Sequence, residues 1–278
     1  MSHPDEEQDA RLSRADVDDV ADAAIGVDTR IFTTIKDTFL HTPRVVEAAY
    51  AGERDRYVPI IRLFLVLFGL QFAVIAFFDI PAGFSLDALA RSGDDMVRAI
   101  DAWLAESGQP YAAVNASLEN AAGLTTTLLV FLSSLPFVLL LKAYRPSRSY
   151  FGHVLAYLAP VNASFLALFL LMAIVALISL LPGIGEETEA ALYIWAFVGS
   201  IIWNFVAAGW VIARFYGRSA LAVGLQVSGL VLMVIPMFII MMIGQYGIAE
   251  IVLQNKYDMS VIDLFRISAE NAIESESP

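Results

Sequence analysis

Five long apolar blocks constrain this chain more than any other feature. They cover residues 59–78, 121–141, 154–181, 190–213 and 220–243, and none contains Asp, Glu or Lys. Arg62, near the start of the first, is the only arginine in any of them. A helix that crosses a bilayer needs about 20 mostly apolar residues. Every backbone group in hydrocarbon must be paired internally, so only helices or closed barrels cross. Barrel strands alternate in polarity and are half as long, so these continuous runs predict helices. The expected fold class is an all-α membrane protein, a bundle of five transmembrane helices with amphipathic interfacial helices. The third and fifth blocks are long enough to tilt. Composition points the same way: 58% of residues are hydrophobic and only 17% charged, against about 25% in an ordinary soluble domain. The chain has no cysteine, which excludes disulfides, thiolate metal sites and cysteine nucleophiles.

The connections set an orientation. Lys142, Arg145 and Arg148 lie between the second and third blocks, and Arg214 and Arg218 between the fourth and fifth, with no acid in either place. Lys36, Arg44, Arg54, Arg56 and Arg62 lie before or at the start of the first block. Glu186, Glu187 and Glu189 follow the third block with no base, and residues 79–120 hold seven acids and two bases. Lys and Arg resist translocation, so the basic connections are expected inside. This puts the N-terminus in the cytoplasm and the C-terminus outside, as an odd number of spans requires. The net charge of −12 resides in tails and loops.

Four segments follow. Residues 1–30 form an acidic tail with nine acids and three bases, a composition expected to stay mostly disordered, with a weak helix around 15–25. Residues 31–58 carry two amphipathic patterns, Ile35, Phe39 and Leu40, then Val45, Val46, Ala49 and Tyr50 after Pro43. They predict two interfacial helices on the cytoplasmic surface. Residues 59–247 form the five-helix transmembrane domain, including an external helical segment at 79–120. There Leu86 and Leu89 share a short turn, and Val97, Ile100, Trp103 and Leu104 form a stripe after Gly93, with Asp94 or Asp95 as cap. Residues 248–278 form an external tail in which Val261, Leu264, Phe265 and Ala272 predict a surface helix. Asn115-Ala-Ser117 matches the glycosylation pattern, which is too common to weigh. The first apolar run begins near 59, so that helix is expected to direct insertion without a separate secretory signal.

Candidate site residues fall into three groups. Arg54, Arg56, Tyr57 and Arg62 are expected at anionic lipid headgroups, with Pro59 in the first helical turn. Gln71, His153, Asn162, Asn204 and Gln226 are polar residues at or inside spans; they either bond between helices or line a polar pathway. Ser200 and Ala208, with Asn204 between them, and Ala220, Gly224 and Ser228 repeat at i, i+4, i+8. Small residues so spaced predict close packing of the fourth helix on the fifth. Pro136, Pro160 and Pro236 are candidate kinks. His41 and His153 are candidates to meet at the cytoplasmic face, though two ligands do not make a metal site. Glu186, Glu187 and Glu189 form either an acidic mouth or a solvated turn. Phosphate loops, paired carboxylates and histidine clusters at mechanistic spacing are missing, so no enzyme, metal or cofactor is expected.

The pattern T-F-L-x-x-P, then A-Y-x-G-x-R-x-R-Y-x-x-P-x-x-x-x-L, over residues 38–65 resembles a bacterial family of polytopic integral-membrane proteins with no assigned function. Thr38, Phe39, Leu40, Pro43, Tyr50, Gly52, Arg54, Arg56, Tyr57 and Pro59 carry the likeness. RSYFGHVLAYLAP, residues 148–160, is similar to a second feature of that family, a histidine near a helix start. Many of its members begin with a cysteine-rich zinc ribbon, a module this cysteine-free chain lacks. The five-helix, N-inside plan is also similar in topology to Yip-type proteins of vesicle traffic. The resemblance implies a bacterial inner (cytoplasmic) membrane. The expected function is a non-enzymatic envelope role as scaffold, assembly factor or accessory subunit; the alternative is a channel or permease for a small solute or cation. Expected partners are the bilayer, with anionic headgroups at the cytoplasmic face, and a protein partner or a second copy; no nucleic acid.

Overall fold

The computed structural model describes residues 30–53, 55–77, 84–182 and 184–276. Arg54, the acidic tail through residue 29 with its expected helix at 15–25, and the first residues of the 79–120 segment lie outside the described residues. Among those described, all regular structure is helical: α1 (Arg30–Leu40), α2 (Thr42–Ala51), α3 (Ile60–Phe77), α4 (Leu86–Ala90), α5 (Asp94–Ser107), α6 (Tyr111–Tyr144), α7 (Tyr150–Ser179), α8 (Glu186–Phe215), α9 (Ala220–Leu232), α10 (Val234–Tyr257) and α11 (Val261–Glu276). Four stretches are long and apolar enough to cross a membrane: Tyr111–Tyr144, Tyr150–Ser179, Glu187–Phe215 and Ala220–Tyr257. The first expected span appears as a shorter apolar helix over Ile60–Val74. Contacts divide the chain into two compact units, residues 1–69 with 141–229 and residues 70–140 with 230–278.

In the first unit, α7 and α8 form the main helical pair, and α1 and α2 pack on them. Ser164 on α7 donates its hydroxyl to the Ser200 carbonyl of α8 at 2.8 Å, and the Leu171 side chain lies against Gly199. Ser200 and Ala208 therefore sit buried, Ser200 on the α7 side. The expected close packing of small residues between α8 and α9 takes a different form. Ala220, Gly224 and Ser228 are exposed, and contact there runs from Val223 and Val227 to Gly209. The valine methyls reach to within van der Waals contact of the place a Cβ at residue 209 would take, and the small stripe lies on another face.

The second unit has its own apolar core. Met96, Ala99, Ile100, Trp103 and Leu104 of α5 are buried at i, i+3, i+4, i+7, i+8, while Val97 is exposed. They meet Leu86 and Leu89 of α4, Val114 and Leu118 of α6, Ala249 and Leu253 of α10, and Val261 and Leu264 of α11. This core explains why α6 and α10 run past the expected spans. Their extra turns carry too many polar residues to prolong an apolar run, yet one face of each is buried. The cap of α5 is Gly93, at φ 140°, not an aspartate. Asp94 and Asp95 occupy the first turn, where negative charge is favoured, and Asp95 pairs with Arg98. Asn115 is buried: its Oδ1 accepts from the Leu86 N–H at 2.8 Å and its amide donates to Asp87 at 2.9 Å. Glu250 accepts from the Val261 N–H at 2.8 Å, supplying the start of α11 with an acceptor.

Pro136 and Pro160 lie inside continuous helices. Near Pro236 the helix is interrupted for one residue, Met233, which keeps right-handed helical angles; proline offers no N–H to the Leu232 carbonyl one turn back.

Leu264 is fully buried in the second unit's core. Leu264→Ala should cost about 2–5 kcal/mol, read as a lower thermal midpoint and faster proteolysis of the 84–120 segment.

Candidate functional site

Two polar clusters at the basic end of the first unit hold most of its chemistry. The first begins with Pro59, which caps α3 by accepting from the Leu63 N–H at 3.0 Å. Just before it, the buried Val58 N–H needs an acceptor. Thr34 of α1 supplies one at 2.9 Å, and its own hydroxyl donates to the Arg30 carbonyl at 2.7 Å. Tyr57 donates its phenol to Asp37 Oδ2 at 2.6 Å. Thr42 donates to the Thr38 carbonyl at 2.8 Å, securing the α1–α2 corner. Asn162 of α7 then donates to the Ile60 carbonyl in the first turn of α3 at 3.0 Å.

These bonds set the inward face of α1 and reverse one expectation, that for Tyr57. In α1 the buried residues are Thr34, Asp37 and Thr38, while Phe32 and Leu40 are exposed. The polar face turns inward because Val58 N–H and the Tyr57 phenol need partners there. Tyr57 is not a headgroup ring: it is 4% exposed and bonded to α1. Burial, reinforced by the Asp37 carboxylate, pushes its phenol up to about 12. Arg56 lies over the Tyr57 ring, 5.1 Å from its centre. Arg56 and Arg62 are exposed, and Arg62 lines a cleft of about 510 Å³ with Arg30, Glu53 and Phe151. Arg54 lies outside the described residues.

The second cluster joins α2, α7 and α8 through Arg148. Its guanidinium lies 5.0 Å from the centre of the Tyr50 ring and 4.6 Å from that of Phe215. It also donates to the Phe215 carbonyl at the end of α8, at 3.2 Å. A cation at a helix C-terminus meets both the unpaired carbonyls and the negative pole. Tyr50 and Phe215 pack edge to face with centres 5.3 Å apart. The Arg148 guanidinium, and after it Ser149, hold the Tyr50 phenol below its ordinary value. Tyr50 can lie on the first turn of α7 because residue 152 is glycine: a Cβ there would stand 2.8 Å from Tyr50 Cε2. Ser149 caps that turn, accepting from the Gly152 N–H at 3.1 Å.

His153 follows directly and is fully buried. Its Nδ1 is 2.6 Å from the Tyr216 phenol, with the rings edge to face, and its Nε2 has no hydrogen-bond partner among the described residues. Burial pushes the Tyr216 phenol up. His41 does not meet His153; it sits 3.4 Å from Asp37 instead. Lys142 donates to the carbonyls of Pro146 and Arg148 at 2.7 and 2.8 Å, fixing the basic loop. Arg218 donates to the Tyr144 carbonyl, and the Tyr144 phenol to the Gln226 carbonyl at 2.9 Å. The glycines at 52 and 217 end α2 and α8 at φ 82° and 63°, and the residue after each bonds back into its helix, a left-handed ending that glycine adopts without strain.

The remaining intramembrane candidates are scattered. Asn204 and Gln71 are half-buried. The Gln226 Oε1 and Asn162 Oδ1 atoms are buried without hydrogen-bond partners among the described residues. Asp37, Tyr50, Arg148, Gly152 and Tyr216 were not singled out from sequence as a site. The clue available was the pairing of Tyr50-x-Gly with Arg148 and Gly152 across the two stretches that carry the family resemblance. No group of three metal-binding side chains occurs among the described residues. Comparison with family models, curated proteins and solved structures gives no match.

Gly152→Val should push Tyr50 off α7 and abolish its packing on Arg148, lowering the thermal midpoint by more than Gly199→Ala does. Because the Tyr57 phenol titrates above its ordinary 10, its bond to Asp37 contributes fully below pH 10 and is lost as pH rises from 10 towards about 12. Tyr57→Phe should cost about 1–3 kcal/mol at neutral pH, and the gap in thermal midpoint from the parent should shrink across that alkaline window.

Proposed function

We propose that the chain is a five-span inner-membrane protein, N-terminus cytoplasmic and C-terminus external, that acts without catalysis as an envelope scaffold, assembly factor or accessory subunit. α3 counts as the first crossing: its 18 residues rise about 27 Å, close to the ~30 Å hydrocarbon core. The basic connections carrying Lys142, Arg145, Arg148, Arg214 and Arg218 then face the cytoplasm. A relationship to the uncharacterised bacterial membrane family named above is part of this reading.

One observation carries the scaffold reading. Hydrogen bonds and ring contacts tie α1 to the 57–58 turn in one cluster, and α2, the 145–149 loop, the start of α7 and the end of α8 in the other, both carried by the packed α1, α2, α7 and α8. A preformed surface held by so many separate segments is what a docking or assembly role requires. A permease is favoured by a different observation. The buried Asn162 Oδ1, His153 Nε2 and Gln226 Oε1 atoms, without hydrogen-bond partners among the described residues, are the kind that water satisfies, and the two amide oxygens the kind that a cation does.

The deciding experiment is extraction of the protein from its own membrane in native lipid discs, followed by mass analysis. A stoichiometric second protein, released when Gly152→Val disrupts the Arg148 cluster, is the expected result. A homo-oligomer alone, with ion or solute flux in proteoliposomes that Asn162→Leu alters without unfolding, would replace the scaffold with the permease.

A further inference from the structure

A second cleft of about 310 Å³ opens where the start of α2 meets the end of α8. Its cationic groups are Arg44 and Arg214, with His41 beside them, and its apolar wall includes Leu40, Pro43 and Trp210. The two arginines come from distant parts of the chain. Neither is engaged in an ion pair or a side-chain hydrogen bond among the described residues. The neighbouring carboxylate, Asp37, is buried and occupied by Tyr57. α2 also starts here without a side-chain cap, so its positive pole adds to the two guanidinium groups.

The cleft continues into an apolar row. Ile202, Val206 and Trp210 are exposed and spaced four apart on α8, and Arg214 is the next member of the same row. From Ile202 to Arg214 the row rises about 18 Å, close to the ~15 Å of one hydrocarbon leaflet. Trp210 is held edge to face by Trp203, which stacks on Phe39 of α1 with centres 4.9 Å apart. The Trp203 Nε1 is buried and has no hydrogen-bond partner among the described residues. A fixed aromatic wall, an acyl-length apolar row and, at its end, two guanidinium groups without an ion pair among the described residues match one chemistry, a phosphate joined to a long hydrocarbon tail.

We propose that this cleft is a binding site for an anionic phospholipid of the cytoplasmic leaflet, with the phosphate between Arg44 and Arg214 and an acyl chain along Ile202, Val206 and Trp210. The proposal rests on the membrane-embedded, N-inside reading but not on the choice between scaffold and permease.

Native mass spectrometry of the full-length protein in detergent, titrated with phosphatidylglycerol or phosphatidylcholine, tests it. Phosphatidylglycerol should be retained preferentially, and Arg44→Gln with Arg214→Gln should reduce that retention about 30-fold. Arg266→Gln, on an exposed face of α11, should leave it unchanged. A large excess of inorganic phosphate should not displace the lipid; displacement would make this a site for a soluble phosphate and overturn the proposal. Equal retention of both lipids, or full retention by the double variant, would also overturn it. Should the double glutamine variant not fold, quenching by brominated phosphatidylglycerol decides the matter: the parent should be quenched more than Trp210→Phe, and equal quenching sinks the idea. Absence of a protein partner in native discs would defeat the scaffold reading and leave this lipid preference standing.

Discussion

A buried polar group without a partner costs roughly 1–3 kcal/mol, and more in hydrocarbon, where no water competes. The basic end of the first unit is arranged around that cost. The chain must start α3 at a proline, which leaves the Val58 N–H and the Tyr57 phenol beneath α1. Thr34 and Asp37 are the groups that answer them. Once they do, α1 has no freedom to bury Phe32 or Leu40. Its amphipathicity is inverted relative to a helix lying on a soluble core, and the exposed apolar side suits a membrane surface. Asn162 extends the same bonding to α7.

The Arg148 cluster works by a different balance. Cation–π contacts contribute about 0.5–2 kcal/mol each, and a charge at a helix end contributes a similar amount. Arg148 makes both kinds at once, to the rings of Tyr50 and Phe215 and to the Phe215 carbonyl at the end of α8. Gly152 is the steric condition for this, since any Cβ would meet the Tyr50 ring. A histidine at 153 with one satisfied nitrogen is then sealed behind the cluster. The result is a surface whose geometry is set by contacts between segments far apart in the chain.

The second unit shows why hydropathy misjudged helix length. α6 and α10 outlast the apolar runs because their outer turns need only one buried face, supplied by Val114, Leu118, Ala249 and Leu253. Such a face is diluted by Asn115, Glu119 and Glu250 in any windowed average. Those same polar residues do specific work: Asn115 and Glu250 hold the starts of α4 and α11.

The sequence by itself determined that this chain is helical, that its apolar blocks are long enough for a membrane, and that positive charge gathers at one set of connections. Those are sums over neighbouring residues, and neighbours along a chain are fixed before it folds. Tyr57, read as a headgroup ring, became a buried donor; Ala220, Gly224 and Ser228, read as a packing stripe, became an exposed one. Which groups meet was settled only in three dimensions, where Tyr50 found Gly152 and Arg148, His153 found Tyr216, and Arg44 came to line one cleft with Arg214. Pairing energies depend on distances between side chains, and no local pattern in the sequence encodes a distance between residues a hundred positions apart.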